Sequence, residues 1–216
     1  MTQLIFEHTP IKDNNEPLVD LAGYPFVLEA AYFNQGLSDT DKMHPREEVA
    51  DKLLELQKSF NGKYRFKIWD GYRPRNVQDN IFVKYRDELS EKHPEWDEDK
   101  LDYEAEMFVT NANKQERIPP HATGGAIDLT LVDAEGTEFD MGTEFDHFGP
   151  DAASYYFEKA GRSEEIRDNQ RPLREPLIKA GFNYDIDEWW HFNWGNQMWA
   201  AGLDKPFAFY GEAFIS

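Results

Sequence analysis

One stretch of the chain, His121-Ala122-Thr123-Gly124-Gly125-Ala126-Ile127-Asp128, carries two metal-binding side chains separated by a pair of glycines. Fully extended, the seven steps from His121 to Asp128 would span roughly 23 Å, too far for both side chains to reach one ion. The glycine pair lets the chain fold back. An imidazole and a carboxylate brought together in this way suit zinc, which binds nitrogen and oxygen ligands at about 2 Å. A third ligand must come from elsewhere in the chain.

The residues after this bend predict the element that holds Asp128. Apolar Ile127, Leu129 and Leu131 alternate with small or polar residues, which is the period of a strand with one apolar face. We therefore expect a strand over residues 125–132. Its register places Asp128 on the face that points away from the core.

A second cluster, Glu188-Trp189-Trp190-His191, supplies another carboxylate and another imidazole. Residues 182–194 are rich in aromatic side chains and predict one strand. On a regular strand Glu188 and His191 would face opposite sides, so a shared site requires Glu188 to lie at a loop end or a bulge. The alternative makes His191 a hydrogen-bonded core residue and the tryptophans simple packing. With His121 and Asp128, His191 completes a trio with an open position, typical of catalytic zinc, and Glu188 would be the general base.

Two further charged residues stand at predicted junctions. Arg73 lies where a strand meets a helix, in Asp70-Gly71-Tyr72-Arg73-Pro74, and its guanidinium could stabilise an oxyanion or bind a carboxylate. The alternative is a salt bridge to one of the many acids. Asp146 closes the run 140–146, a turn that brings acids near the end of a predicted hairpin. His147 beside it either lines a pocket or has no direct role.

Together these segments resemble the VanX-type D-alanyl-D-alanine dipeptidases. Four runs occur in the order and approximate spacing of that family, between about residues 64 and 194: Gly71-Tyr72-Arg73-Pro74, His121-x-x-Gly124-x-Ala126-x-Asp128, Met141-Gly142-Thr143-x-Phe145-Asp146 and Glu188-Trp189-Trp190-His191. Members of the family are zinc peptidases that share a fold with zinc D,D-carboxypeptidases and the Hedgehog signalling domain.

The resemblance implies a role for each matching residue. His121, Asp128 and His191 would bind one Zn²⁺ per chain, and Glu188 would be the catalytic base and acid. Arg73 would polarise the scissile carbonyl and stabilise the tetrahedral intermediate. Asp146 would receive the free amino group of the substrate, a small cell-wall peptide, which distinguishes a dipeptidase from a carboxypeptidase.

Two departures from the family pattern keep other functions open. Pro119 stands where the family has a serine that helps to hold the substrate carboxylate, and the segment 30–36 is only a loose echo of the family's Tyr-Ala-Thr-x-x-Asn-Phe pattern. One alternative is a zinc carboxypeptidase or endopeptidase that acts on another peptidoglycan peptide. A second, of a different class, is a catalytically silent, Hedgehog-like, metal-stabilised binding domain.

Composition excludes several function classes. The 216 residues carry a formal charge of -19, which opposes binding to nucleic acid and to anionic membrane surfaces. The absence of cysteine excludes disulfides and thiolate chemistry. Residues 1–7 lack the pattern of a secretion signal, so we expect a cytoplasmic protein. We expect one zinc peptidase domain over residues 1–216, in which residues 1–40 are an extended lead-in.

Patterning predicts the remaining elements. Helices are expected from Pro45 to Gly62, over 77–89, over 98–112, over 152–161 and over 172–180, the last closed by Gly181. Further strands are expected over 64–69 and over 137–140, the latter forming a hairpin with 125–132. This irregular alternation favours an α+β fold of the Hedgehog/D,D-peptidase type. A small antiparallel sheet would carry the zinc site, with helices packed on its other face.

Overall fold

A five-stranded sheet lies at the centre of the fold in the computed structural model, which describes residues 8–112 and 118–215. Its strands in chain order are β1 (Val27–Leu28), β2 (Arg65–Asp70), β3 (Ala126–Val132), β4 (Asn183–Tyr184) and β5 (His191–Asn193). They lie in the order β1-β2-β3-β5-β4, and all neighbours are antiparallel except β1 and β2. The α+β class is confirmed. The parallel edge strand β1 comes from the segment predicted as an extended lead-in.

The described residues form six α-helices: α1 (Ala31–Asn34), α2 (Glu47–Ser59), α3 (Arg75–Lys92), α4 (Glu98–Glu106), α5 (Glu164–Lys179) and α6 (Gln197–Gly202). The predictions of α2, α3 and α4 are confirmed, although α4 ends before residue 112. Helix α2 begins with Glu47 and Glu48, whose negative charges favour a helix N-terminus.

The helix predicted over residues 152–161 is wrong. Those residues form turns, and Ala153 has an extended backbone with ψ of 134°. Ser154 uses its polar groups on distant partners. Its amide donates to the Ile186 carbonyl at 3.1 Å, and its hydroxyl lies 2.5 Å from the Asp185 carbonyl and 3.2 Å from the Glu188 carbonyl. These tertiary bonds replace the local bonds that a helix would need.

Helix α5 begins at Glu164 and not at residue 172 as predicted, so it is longer than expected at its N-terminal end. There the Ser163 hydroxyl accepts the Ile166 amide at 3.3 Å. Pro172 and Pro176 lie inside the helix, so proline does not mark its start. The predicted left-handed residue after the helix is confirmed, because Gly181 has φ of +95°.

Two strand predictions also need correction. Residues 182–194 form two short antiparallel strands, β4 and β5, joined by the loop 185–190, because Trp189 and Trp190 bury their side chains in the core at 4% and 1% exposure. The run 137–140 contributes only an isolated bridge between Val132 and Glu138, so the predicted hairpin has no full second strand.

Strand β3 is covered on both of its faces. Ile127, Leu129 and Leu131 pack in the main core with side chains from α2, β2 and α5, as the alternation predicts. The opposite face is buried as well, and Asp128 is only 2% exposed. A second apolar cluster gathers side chains of α1, α3 and α4. Asp128 therefore points away from the main core into a second protein-lined space, not into open solvent.

Within the described residues no helix is both long and apolar enough to cross a membrane.

Candidate metal centre

The register of the sheet brings Asp128 and His191 together. Asp128 on β3 stands directly opposite His191 on β5, and cross-strand partners are the closest neighbours on a sheet. Asp128 Oδ1 lies 2.9 Å from His191 Nδ1. A bulge in β2 between Ile68 and Asp70 also places Asp70 opposite Asp128 on the other side.

His121 reaches the same point from a one-turn 3-10 helix, Pro120–Thr123. Gly124 ends that turn in the left-handed region at φ of +70°, which returns the chain towards β3. His121 Nε2 then lies 3.2 Å from Asp128 Oδ2 and 3.2 Å from His191 Nδ1. The predicted bend is confirmed.

The spacing of these atoms fits zinc. Ligands about 2.0 to 2.1 Å from a tetrahedral ion lie about 3.3 Å from one another. The 3.2 Å between His121 Nε2 and His191 Nδ1 matches this value, and one donor atom from each of the three residues lies within 4.8 Å of the others. His121 Nδ1 is 2.7 Å from the Gly71 carbonyl, which can only accept, so in neutral His121 the proton lies on Nδ1 and the Nε2 lone pair faces the other two ligands. Among the described residues, His121, Asp128 and His191 are the group whose donor atoms could hold a metal ion.

The negative charge of Asp128 favours a cation or a protonated imidazole beside it. Burial raises the pKa of the Asp128 carboxyl, but His121 and His191 outweigh burial and hold that pKa well below its usual range. Burial lowers the pKa of His191, while the hydrogen bond and charge of Asp128 raise it to about 9. Without a metal, a proton on His191 offsets the negative charge of the Asp128 carboxylate. A divalent cation would replace that proton.

Arg73 lies beside the trio, and it also makes salt bridges to acidic residues, as the alternative interpretation predicts. Its Nε donates to Asp70 Oδ2 at 2.7 Å, and Nη1 donates to Gln78 Oε1 at 2.9 Å. Nη2 lies 3.3 Å from Asp128 Oδ2 and 3.1 Å from the Tyr32 hydroxyl. The guanidinium is 7% exposed and held from three sides, so its position beside the trio is fixed.

Glu188 lies in the loop before β5, as a shared site requires. Its Oε2 is 3.8 Å from His191 Nδ1, and 28% of its side chain is exposed. Hydrogen bonds hold the loop: the Trp189 amide donates to the Ala152 carbonyl at 2.9 Å, and Ser154 binds the Glu188 carbonyl. Burial raises the pKa of the Glu188 carboxyl well above its usual range, and Asp185 raises it further.

Asp146 is linked to Arg73 through the hydroxyl group of Tyr32. Its backbone is left-handed at φ of +61°, and its Oδ1 accepts from the Tyr32 hydroxyl at 3.1 Å. The preceding Phe145 fixes this turn by stacking on Trp69 with ring centroids 4.8 Å apart. Burial raises the pKa of Asp146 to about 7, although the charge of Arg73 lowers it.

Three residues of this cleft carry no role in the sequence analysis. Tyr32 joins Arg73 to Asp146, Asp70 bridges Arg73 and His121 Nδ1, and Gln78 holds the guanidinium. Tyr32 lies in the segment 30–36, which loosely matches the family's N-terminal pattern. That match is the sequence feature that could have identified it. His147 pairs with Asp151 at 3.0 Å on the surface, away from these contacts.

The chain matches a sequence family described as D-ala-D-ala dipeptidase over residues 21–210. A D-alanyl-D-alanine dipeptidase of Synechocystis is 28% identical over 219 aligned residues, covering 88% of this chain and 87% of that protein. Proteins of the same name from Enterococcus faecium and Enterococcus faecalis are both 30% identical; they cover 67% and 60% of this chain, and 70% and 61% of their own lengths.

Two solved structures also align along most of the chain. One is a mutant of the vancomycin resistance D,D-pentapeptidase VanY in complex with Zn(II), 17% identical, covering 88% of this chain and 89% of its own, with a TM-score of 0.47. The other is VanYB in complex with D-Alanine-D-Alanine, 16% identical, covering 90% and 92%, with a TM-score of 0.48. By the match over residues 21–210, this chain belongs to the D-ala-D-ala dipeptidase family of peptidases.

Proposed function

We propose that this protein is a zinc-dependent dipeptidase that hydrolyses D-alanyl-D-alanine or a related cell-wall dipeptide. The observation that carries the proposal is the convergence of His121, Asp128 and His191 beside a partly exposed Glu188 and a buried Arg73. Family membership supports the reaction class, and the names of the relatives support the substrate.

His121 Nε2, one Asp128 oxygen and His191 Nδ1 would hold the ion. Zinc in such a site polarises a carbonyl and lowers the pKa of a bound water to about 7. Glu188 lies at the edge of the trio and would take a proton from the attacking water. It would then give that proton to the leaving amine, because a carboxyl with a raised pKa can do both near neutral pH.

Arg73 would stabilise the negative charge that develops on the scissile carbonyl oxygen. Its guanidinium is fixed by Asp70, Gln78 and Tyr32 before the substrate binds, so little reorganisation is needed during the reaction.

Asp146 would bind the free ammonium group of the dipeptide. It shares the Tyr32 hydroxyl with Arg73, so the proposed ammonium site lies next to the guanidinium. A buried carboxylate opposite an ammonium restricts the enzyme to substrates whose amino group is free.

Recognition of the substrate carboxylate is the least constrained part of the proposal. Pro119 is buried, and its carbonyl accepts the Ala122 amide at 2.9 Å, so this position offers no hydroxyl to a substrate. A peptidase for another peptidoglycan peptide is therefore the second candidate. A silent binding domain is disfavoured, because it needs neither a base at Glu188 nor a buried guanidinium.

A substrate panel tests the proposal. The zinc-loaded protein should hydrolyse free D-alanyl-D-alanine faster than L-alanyl-L-alanine and much faster than a pentapeptide ending in D-alanyl-D-alanine. His121→Ala serves as the inactive control. Preference for the pentapeptide would assign a carboxypeptidase, and no hydrolysis of any member would assign the binding domain. A cytoplasmic location and the single domain over residues 1–216 stay predictions, tested by fractionation and by limited proteolysis.

A further inference from the structure

Asn193 is a buried residue at the end of β5 whose side chain contacts a proposed metal ligand. Its exposure is 0%, and its Oδ1 lies 3.2 Å from His191 Nε2, on the side of the imidazole opposite to the metal-facing Nδ1. The same Oδ1 accepts from Asn196 Nδ2 at 2.7 Å. Within the described part of the chain, Asn193 Nδ2 has no hydrogen-bond partner. Leaving a buried N–H donor without a partner costs free energy. The Asn193 side chain keeps this orientation nonetheless, which indicates that its oxygen is required as an acceptor next to His191.

The orientation of both amides follows from the start of helix α6. Asn196 is the N-cap of α6, and its Oδ1 accepts the Trp199 amide at 2.9 Å. A backbone N–H can only donate, so the other atom of this side chain, which faces Asn193, is Nδ2. Because Nδ2 also donates, the Asn193 atom that it meets is the oxygen.

His191 is the next step of the same chain of bonds. An amide oxygen can only accept, so the contact with His191 Nε2 requires a proton on Nε2. In the neutral imidazole the lone pair then lies on Nδ1, which faces Asp128 and His121. A metal ligand whose remote N–H is held by an oxygen is oriented and made more basic.

We propose that Asn193 and Asn196 are positioning residues that connect the N-cap of α6 to the metal centre and fix Nδ1 of His191 as the ligand atom. The inference rests on the proposed zinc site, and it connects that site to helix α6 through Asn196. It predicts that the direction of two amide groups controls zinc affinity without any contact with zinc or substrate.

Asn196→Asp is the sharpest test because it preserves size and N-cap but replaces the donor by an oxygen. Asn193 must then turn its amide to present Nδ2, which opposes the Nε2–H of His191. We expect zinc affinity, measured by chelator competition at pH 8, to fall about 10- to 100-fold. Asn193→Leu removes the acceptor and should give a similar loss, whereas Asn193→Asp keeps an oxygen there and should retain zinc.

Asn183→Asp is the matched control. Asn183 lies on β4 opposite Asn193, and its Nδ2 donates to the Met198 carbonyl at 3.2 Å, so this variant also removes an amide donor beside α6. Its zinc affinity should stay at the wild-type value even if its melting temperature falls. Histidine ¹⁵N NMR of the zinc-loaded proteins gives a second readout: the His191 Nε2–H should exchange slowly in wild type and in Asn183→Asp, and faster in Asn196→Asp.

The outcomes separate this inference from the proposed function. Equal zinc affinity and equal Nε2–H exchange in wild type and Asn196→Asp would overturn the positioning role while leaving the dipeptidase intact. A wild-type protein that binds no zinc would overturn the proposed function itself.

Discussion

Glu188 and Asp146 are two carboxylic acids in one cleft whose surroundings give them different chemistry. Glu188 lies 3.8 Å from His191 Nδ1 at the edge of the metal trio, where a water can be activated. Asp146 instead accepts a hydrogen bond from the Tyr32 hydroxyl, which also contacts Arg73. The proposed role of Glu188 is proton transfer and that of Asp146 is recognition of the amino group, and each proposal has its own test.

Glu188→Gln should retain zinc and lose turnover. Glutamine preserves the shape of the side chain but cannot accept the proton, so kcat for D-alanyl-D-alanine should fall at least ~10²-fold while zinc content is unchanged. Steady-state kinetics and metal analysis on the same preparation measure both. A variant that keeps the wild-type kcat would show that another group is the base.

Asp146→Asn should remove the preference for a free amino group. An unpaired buried ammonium costs about 3 to 5 kcal/mol, so kcat/KM for the free dipeptide should fall by more than ~10²-fold. The N-acetylated dipeptide should change little. If wild type cuts free and N-acetylated dipeptides equally well, Asp146 does not read the amino group.

The pH profile follows from the direction of the Asp146 shift. Burial raises its pKa to about 7, so the carboxylate predominates above that pH and the neutral acid below it. Only the carboxylate pairs with an ammonium. We therefore expect kcat/KM for free dipeptides to fall as the pH drops through about 7, since kcat/KM reports groups of the free enzyme. An identical acid limb in Asp146→Asn would assign that limb to a different group.

At the scale of elements, the metal centre depends on the close approach of β3 and β5. The Trp194 amide donates to the Gly125 carbonyl at 2.7 Å just before β3 begins. A Cβ on Gly125 would fall against the backbone carbonyl of Trp194, inside van der Waals contact. The absence of a side chain at Gly125 therefore allows β3 and β5, which carry Asp128 and His191, to lie as close together as they do.

Gly125→Ala should push these strands apart. We expect it to destabilise the protein by about 1 to 3 kcal/mol and to weaken zinc binding, because Asp128 and His191 lie on the separated strands. Thermal unfolding and chelator competition measure the two effects. Gly23→Ala is the matched control, since a Cβ there meets nothing within 4 Å. Unchanged zinc affinity in Gly125→Ala would show that the strands tolerate the added methyl group.

At the scale of the whole molecule, the metal should act as a structural link. His121 and Asp128 lie on a 3-10 turn and a strand that follow each other closely, whereas His191 lies on a strand more than 60 residues further along the chain. An ion that binds only the folded arrangement adds its binding free energy to folding.

Removing zinc should therefore lower the melting temperature. At a free zinc concentration 100 times Kd the contribution is about 2.7 kcal/mol, which for a chain of this size is about 5 to 11 °C. Calorimetry with and without chelator measures it. His121→Ala should abolish the difference, while His147→Ala, which changes a surface histidine paired with Asp151, should preserve it. A full zinc effect in His121→Ala would place the ion elsewhere.

The candidate site residues and the helices α2, α3 and α4 could be predicted from local sequence patterns, and the structure confirms the three helices. The glycine bend after His121, the alternation around Asp128 and the spacing of Glu188 to His191 are local patterns, which can be recognised without knowing which distant segments pack against them. The same holds for α2 and α3, whose apolar periodicity extends over many residues.

The contacts between these residues could not be predicted from local patterns. The pairing of Asp128 with His191, the β2 bulge that brings in Asp70 and the contact of Tyr32 with Arg73 depend on register and packing between distant segments. The helix over 152–161 fails for the same reason, because Ser154 bonds to residues more than 30 positions away. Sequence periodicity reports which face of an element is apolar, but it contains no information on which distant polar group will face it.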